Sequence, residues 1–504
     1  MNAFRDRDII SITDFSREEI LHLCSVGKMM HSLEKNGKRG SLKTALQTRT
    51  LSSMFYEPST RTRTSFYTAM RELGGHCDGF SGPEGTSVMK KESVRDTVMM
   101  MCANHFDLIV MRHPLDGSLQ WAADVSNIPV VNGGDGKNEH PTQALLDILT
   151  LYMLNSEKLD GLSVGFGGDL SHGRTVRSLS LALSHFDNIT LRWAAEDFLG
   201  MPEDLTALLT TRGVNVVREQ SVREVLAGVQ FYYMTRPQLE RMTSVTQRQI
   251  SQMMHKYRID RDKVDGFQTK LLHPLPVNSE IAEIDYRVYF TAAQAFYKQA
   301  EFGVFLRKAL IYEMLRHEGY LAYSGALPSE LEAGNNRLTR KKRGTKAGGM
   351  FIDKIQNGTV LDHLREGTRR TIDEVLDLEN RGYSSIAAVL SEKRNPFLKT
   401  NMPELSERDL KSVALTSPEP TVNYIKSGRV TDKFVYLLCR NTNCITRNIC
   451  EDVPPRFYND QGEIRCRYCR KSHGVENRKV TAAELQQFVA TLPATIEPVV
   501  HATG

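Results

Sequence analysis

From Thr50 to about Glu318 the sequence alternates short β-rich runs with stretches of helical period, and this rhythm restricts the chain to an α/β architecture built on parallel sheets. Leu51 to Tyr56 reads as a strand, and a helix follows from Thr60 to Leu73, ended by Gly74-Gly75. Asp107 to Met111 and Ile128 to Val131 are buried-strand runs, and Pro141 sits in the first turn of a helix running from Thr142 to Leu154. A second block repeats the pattern at Leu162 to Phe166, Asn188 to Leu191, Val214 to Val217 and Gln230 to Met234. The reading is two parallel α/β domains, residues 1–145 and 146–290. A long helix from about Thr291 to His317, within segment 291–320, completes the first of them.

Beyond that helix the composition changes. Gly334 to Gly348 holds Arg337, Arg340, Lys341, Lys342, Arg343 and Lys346 without an acidic residue, the profile of a solvated linker over 321–349. A mixed α+β stretch at 350–435 follows, then a cysteine-rich, β-rich end at 436–504. The chain has 65 basic and 60 acidic side chains, a net charge of +5, so no global field draws it to nucleic acid or anionic lipid. The charged amino terminus is unlike a signal peptide and no apolar run reaches spanning length, so a cytoplasmic protein away from membranes is expected.

The chemistry-bearing residues cluster where strands end. Pro58-Ser59-Thr60-Arg61-Thr62-Arg63 joins a strand to a helix, which directs free backbone N–H groups, hydroxyls and guanidinium to one place, as at a phosphate-binding helix start. A capped helix with solvent-facing arginines is the plainer alternative. Thr86 to Lys91, Arg112-His113-Pro114 and His140-Pro141-Thr142-Gln143 belong to the same block, and ligands bind at the carboxyl ends of parallel strands. Gly165-Phe166-Gly167-Gly168-Asp169 imitates a dinucleotide fingerprint, but Leu170 stands at the third glycine, so tight strand-to-helix turning is the better explanation.

These residues resemble the carbamoyltransferases, and within them the aspartate carbamoyltransferases, over nearly all of residues 5–318. Ser59 to Arg63, Lys90-Lys91, Met111 to Pro114, His140 to Gln143, Gly173 to Val176, Met234 to Gln238 and Leu272 to Pro276 occur in the family's order. The resemblance implies carbamoyl transfer from carbamoyl phosphate to the amine of L-aspartate. It implies that Ser59, Thr60, Arg61 and Thr62 cradle the phosphate, and that Ser87 and Lys91 come from a neighbouring subunit of a trimer. Thr62, Arg112 and His140 would polarise the carbonyl, Gln143 would orient the carbamoyl nitrogen, and Arg174, Arg236, Gln238, Lys91 and the backbone of Leu275 would hold aspartate. His273 reads as a satisfied core histidine. The family's ornithine branch usually carries His-Cys-Leu-Pro where this chain has His273-Pro274-Leu275-Pro276, which favours an acidic acceptor.

At the carboxyl end, Cys439-x4-Cys444 and Cys466-x2-Cys469 stand 21 residues apart and give four thiolates in two knuckles, suited to one structural zinc ion per chain. Cys450 is a further thiol between them. Residues 350–473 resemble the regulatory chain of enteric-type aspartate carbamoyltransferase, so the chain resembles a fusion of catalytic and regulatory subunits. The resemblance implies a nucleotide effector such as CTP or ATP on Asp362, His363, Lys399 and Lys433, and a trimeric catalytic core, alone or as two bridged trimers. Two other readings stay open at this stage. One is transfer to a different amine; the other is a catalytically idle zinc protein whose Arg465, Arg467, Arg470 and Lys471 bind nucleic acid or a partner.

Overall fold

The computed structural model describes residues 4–238, 256–316, 337–339, 356–365, 368–389, 396–451, 453–460 and 463–473. Helix α1 (Arg17–Lys35) opens on a capping box between Ser16 and Glu19. Four strands then build the first sheet: β1 (Thr50–Phe55), β2 (His76–Ser81), β3 (Leu108–His113) and β4 (Val130–Asp135), with α2 (Thr60–Glu72), α3 (Val94–Ala103) and α4 (Ser118–Val125) as crossovers. All pair in parallel in the order β2-β1-β3-β4. Helix α5 (Pro141–Leu154) leads to the second sheet.

That sheet contains β5 (Ser163–Gly167), β6 (Thr190–Ala194), β7 (Asn215–Arg218), β8 (Phe231–Met234) and β9 (Lys270–Leu272), parallel throughout in the order β7-β6-β5-β8-β9. Its helices are α6 (Arg174–Leu183), α7 (Glu203–Thr211), α8 (Val222–Ala227) and the single turn α9 (Arg261–Val264). Helix α10 (Phe296–Leu315) returns and packs on α1, α2 and α5. It starts five residues later than its apolar period suggests. Residues 291–294 instead form a turn, Gln294 N–H donating to Thr291 O, and the turn is tied to β9 by Leu271 N–H donating to Ala293 O and Ala295 N–H donating to Leu271 O.

Each parallel sheet reverses its winding once, between β1 and β3 in the first and between β5 and β8 in the second. Such reversals open a crevice at the carboxyl ends of the strands. At the second, Gly168 has φ +89, and a Cβ there would lie 1.9 Å from Thr235 O. The glycine therefore lets the β5 turn and the end of β8 touch, in keeping with turning rather than dinucleotide binding as its role.

The remaining strands form an antiparallel sheet in the order β10-β15-β14-β11-β13-β12. They are β10 (Arg337–Thr339), β11 (Gly358–Asp362), β12 (Ser385–Val389), β13 (Pro396–Thr400), β14 (Thr421–Lys426) and β15 (Arg429–Tyr436), with helices α11 (Arg369–Leu376) and α12 (Glu407–Thr416). Strand β10 corrects the expectation that Gly334 to Gly348 is linker throughout, since Arg337–Thr339 pair with Phe434–Tyr436. A sheet edge offers unpaired N–H and C=O groups that recruit such a segment despite its charge. The rest of that basic run and the tail from Asn477 lie outside the described residues.

The last hairpin, β16 (Phe457–Asp460) with β17 (Glu463–Cys466), belongs to a cysteine-bearing lobe seated on the first α/β domain of its own chain. One apolar cluster joins Leu119, Trp121 and Ala122 to Val435, Leu437 and Tyr468. Polar contacts surround it. The fully buried Asp116 carboxylate accepts from Asn441 Nδ2 (2.8 Å), Asn443 Nδ2 (2.9 Å), Lys471 Nζ (2.7 Å) and Lys137 N–H (2.8 Å). Arg467 pairs with Asp124, and Arg470 makes a two-pronged pair with Asp14. Removing one partner of a buried, hydrogen-bonded charge pair costs about 3 kcal/mol or more. Asp116→Ala is accordingly expected to make the carboxyl-terminal lobe at least tenfold easier to clip by dilute protease, read by gel against time, with the α/β domains resistant.

Candidate functional site

The two crevices face one another across a cavity of about 910 Å³. Three helices begin at its wall, and none carries a side-chain cap. Ser59 before α2, His140 before α5 and Gly173 before α6 make no capping hydrogen bond. The first-turn N–H groups and the positive ends of three helix dipoles thus surround one volume, a setting made for anions. The Ser59 hydroxyl accepts instead from Arg112 Nη1 at 3.3 Å, which sets aside the capped-helix alternative for this segment.

The elements bring Ser59, Thr60, Arg61, Thr62, Arg112, His140, Gln143, Arg174, Arg236, Gln238 and Leu275 to this one wall. Ser87 and Lys91 are not brought there. They stand exposed on the turn at Ser87–Lys90 and just after it, where Lys91 has φ 66.

The field inside is strongly positive. Burial and the neighbouring Arg112 and Arg236 hold the Arg61 guanidinium below its ordinary value, and burial takes Arg307 down to about 10. His140 is pushed well down by burial and then by Arg174, Arg112 and Arg307, so its imidazole is neutral. A neutral ring can donate a hydrogen bond to a carbonyl without adding another charge.

Arg174 Nη1 donates to Gly136 O (2.7 Å), and the Asp169 carboxylate braces the loop beside it by accepting from His172 N–H (2.9 Å) and Gln238 N–H (3.1 Å). Gln238 Nε2 in turn donates to His172 O. His273 is fully buried, with Nε2 on Glu283 Oε1 (3.1 Å) and Nδ1 accepting from Leu275 N–H (2.8 Å). It is a satisfied core histidine that fixes the loop through the cis Leu275–Pro276 bond.

Sequence reasoning missed Glu57, Asp147, Asp169, Gln299 and Arg307. Glu57 accepts from Arg112 Nε at 3.3 Å and lies 4.0 Å from Arg174 Nη1, the one carboxylate among the described residues of a wall of arginines. The available signals were small: an acid directly before Pro58-Ser59, and an acid inside the apolar run Ala144 to Leu149.

In the regulatory-type sheet, Lys399, Val360, Asn423 and Lys433 stand opposite one another across β13, β11, β14 and β15. Opposed residues share a face, and Asp362 shares it with Val360 two positions earlier. Asp362, Lys399 and Lys433 therefore lie on the face opposite the one carrying the buried Leu361, Leu398, Val422 and Phe434. Burial raises the Asp362 carboxyl, but the bonds and charge of His363 and the field of Lys433 bring it below its usual range.

The thiols of Cys439, Cys444, Cys466 and Cys469 are buried with all four sulfurs within 4.8 Å of one another. Two of the spacings are 3.6 and 3.8 Å. A tetrahedral ion with metal–sulfur bonds of about 2.3 Å needs sulfur separations of about 3.8 Å, so the donor set fits a metal with no open position. Cys450 is exposed and outside the cluster. Arg467, Arg470 and Lys471 are engaged with Asp124, Asp14 and Asp116, and Arg465 with Asp460 and Glu463. The basic residues that suggested nucleic acid are thus committed to the fold.

Comparison with known proteins agrees with this anatomy. The profile described as aspartate/ornithine carbamoyltransferase, carbamoyl-P binding domain, matches residues 7–153, and the Asp/Orn binding domain of the same family matches 160–314. The aspartate carbamoyltransferase catalytic subunit of Chromobacterium violaceum is 40% identical over 305 residues, 60% of this chain and 96% of the relative. That of Methanocaldococcus jannaschii is 36% identical over 309 residues, 61% of this chain and 98% of the relative. The chain belongs to the aspartate carbamoyltransferase family.

The same polypeptide continues into the allosteric domain of the aspartate carbamoyltransferase regulatory chain at 350–436 and its metal binding domain at 432–478. This member of the family therefore carries catalytic-type and regulatory-type parts in one chain. Among solved structures, the aspartate transcarbamoylase of Trypanosoma cruzi in complex with carbamoyl phosphate and aspartate superposes with TM-score 0.58 at 32% identity, over 62% of this chain and 98% of that one. The catalytic subunit from M. jannaschii gives 0.57 at 34% identity, over 61% and 98%. Among the described residues, no helix is long and apolar enough to cross a membrane.

Proposed function

We propose that the chain transfers the carbamoyl group of carbamoyl phosphate to the amine of L-aspartate, giving N-carbamoyl-L-aspartate and phosphate. The observation that carries this reading is the single cavity lined by three uncapped helix starts and by Arg61, Arg112, Arg174, Arg236 and Arg307. Two substrates with several negative charges between them need such a surplus of donors, and one acid, Glu57, relieves it.

In this reading Ser59, Thr60, Arg61 and Thr62 hold the phosphate, and Arg174, Arg236, Gln238 and the Leu275 backbone hold the carboxylates of aspartate. Planar guanidinium groups suit both tasks. The amine nitrogen attacks the carbamoyl carbon, and Thr62, Arg112 and neutral His140 stabilise the oxyanion of the tetrahedral adduct. The adduct collapses by breaking the bond to the phosphate oxygen, and the amine proton leaves with that phosphate. No nucleophilic side chain takes part, because position and electrostatics account for the acceleration. Ser87 and Lys91, exposed on their own chain, would reach the cavity of a neighbour in a trimer.

The four cysteines would hold zinc, which supplies a structural cross-link and no step of the reaction. The row of Asp362, Lys399 and Lys433 would bind a nucleotide, the lysines meeting its phosphates. The test is N-carbamoyl-aspartate formation by the purified chain over a range of aspartate concentrations, with and without CTP. Turnover with aspartate at least 100-fold above ornithine, and an aspartate curve displaced by CTP, are the expected results. Turnover with ornithine alone overturns the acceptor assignment, and a curve indifferent to CTP overturns the effector site.

A further inference from the structure

Behind the cavity wall, and not lining it, lies the fully buried carboxylate of Asp147 on α5. It accepts three hydrogen bonds from three elements. Gln143 Nε2 on the same helix donates to Oδ1 (2.9 Å), Gln299 Nε2 on α10 donates to Oδ1 (2.6 Å), and Tyr233 Oη on β8 donates to Oδ2 (2.9 Å). Gln299 is 1% exposed, and its Oε1 accepts from His273 N–H (2.8 Å), at the start of the loop that presents Leu275. The acid thus joins both α/β domains and the closing helix at one point.

We propose that Asp147 is a positioning residue that fixes the direction of two glutamine amides. An ionised carboxylate only accepts hydrogen bonds, so each amide must turn its NH₂ toward it and its carbonyl oxygen away. For Gln143 that leaves Oε1 as the group offered to the cavity, an acceptor matched to the NH₂ of a carbamoyl group. For Gln299 it leaves Oε1 for His273 N–H, which ties the Leu275 loop to the same carboxylate.

A protonated or amidated Asp147 keeps both glutamine NH₂ groups on Oδ1 only if its new donor sits at Oδ2 and the Tyr233 hydroxyl turns to accept it; with the donor at Oδ1 an amide must flip, its carbonyl oxygen meeting that donor and its NH₂ turned to the cavity or to His273 N–H. Arg307 from α10 and Tyr233 from β8 are the titratable groups that face the carboxylate. Burial raises it to about 7, with the bonds from Gln299, Tyr233 and Gln143 and the charge of Arg307 opposing. The switch between the two amide arrangements then falls within reach of ordinary buffers.

The proposal rests on carbamoyl phosphate being the substrate, and the experiment separates the two. Asp147→Asn is expected to weaken carbamoyl phosphate binding by about tenfold or more at pH 8 and to lower kcat by about 10- to 100-fold, because displaced contacts are costly in the reacting geometry. Binding of inorganic phosphate, which needs only the cradle at Ser59 to Thr62, stays within about twofold of wild type. In wild type, carbamoyl phosphate affinity falls as pH drops below about 7, and in Asp147→Asn that fall is absent. Tyr233→Phe removes one donor that favours the ionised form, so its acid limb moves to higher pH while affinity at pH 8.5 is kept.

Inactive wild-type protein sinks the substrate assignment. Active wild type with an unaltered Asp147→Asn, equal losses of phosphate and carbamoyl phosphate binding, or an acid limb unmoved in Tyr233→Phe sinks the positioning role.

Discussion

Arg112→Ala is expected to lower kcat by about 10³-fold, a loss of roughly 4 kcal/mol of transition-state stabilisation, while the far-ultraviolet spectrum and thermal midpoint stay near those of wild type. The side chain projects from the carboxyl end of β3, whose backbone is paired on both sides through β1 and β4, so truncation leaves the sheet intact. Its guanidinium touches Ser59 Oγ and Glu57 Oε2, which aims it into the cavity before any substrate arrives. Preorganised charge of this kind acts where water is excluded and needs no rearrangement as the oxyanion forms. Arg112→Lys should recover little, because an ammonium cannot reproduce the two-pronged geometry. Arg61→Ala should differ by raising the KM for carbamoyl phosphate as well, since Arg61 belongs to the cradle. Steady-state rates against carbamoyl phosphate check both, and turnover by Arg112→Ala within tenfold of wild type would remove it from the chemistry.

Much of this site is legible in the sequence, for a physical reason. A parallel strand followed by a helix forces whatever lies between them to the carboxyl edge of the sheet, so Ser59 to Arg63, Arg112, His140, Arg174 and Arg236 meet wherever their strands meet. The order of motifs along the chain then suffices to assemble the cavity. Ser87 and Lys91 mark the limit, because on their own chain they stand exposed and outside the cavity, and only the family resemblance gives them a part in a site. Asp147 illustrates another. Its neighbours Leu146 and Ile148 mark a buried helix face, but of the three donors that justify a carboxylate there only Gln143 stands one helical turn away, and those at 233 and 299 have no local pattern to announce them.

Register is the third kind of information the chain conceals. The lysines at 399 and 433 share a row with Asn423 only because β13, β11, β14 and β15 pair with a particular offset, and a slip of one residue would turn each to the other face. The basic residues of the carboxyl-terminal lobe make the converse point. Arg467, Arg470 and Lys471 suggest a polyanion partner until Asp124, Asp14 and Asp116, more than 300 positions earlier, are seen beneath them.

Removal of the metal from the four-cysteine cluster is expected to unfold the carboxyl-terminal lobe and detach it from the α/β domains. Apart from the thiols, the lobe's own apolar content is small: among its described residues Leu437, Ile445, Val453, Phe457, Ile464 and Tyr468 are the members of the cluster it shares with Leu119 and Trp121 of the first domain. A structural zinc in a small module contributes about 10–16 kcal/mol of apparent binding energy, more than such a core can replace. Cys469→Ser should therefore act like chelation. In either case the ordering of Asn441 and Asn443 is lost, and Asp116 exchanges the three donors of the lobe, Asn441, Asn443 and Lys471, for water. The two parallel sheets share a large core to which the lobe does not contribute and should keep their secondary structure. The observable outcome is release of metal to a chromogenic chelator in step with rapid proteolysis after about residue 436, together with a new dye-binding apolar patch around Trp121. A metal-depleted chain whose lobe resists protease as wild type does would mean that docking on the first domain, and not the ion, holds the lobe in shape.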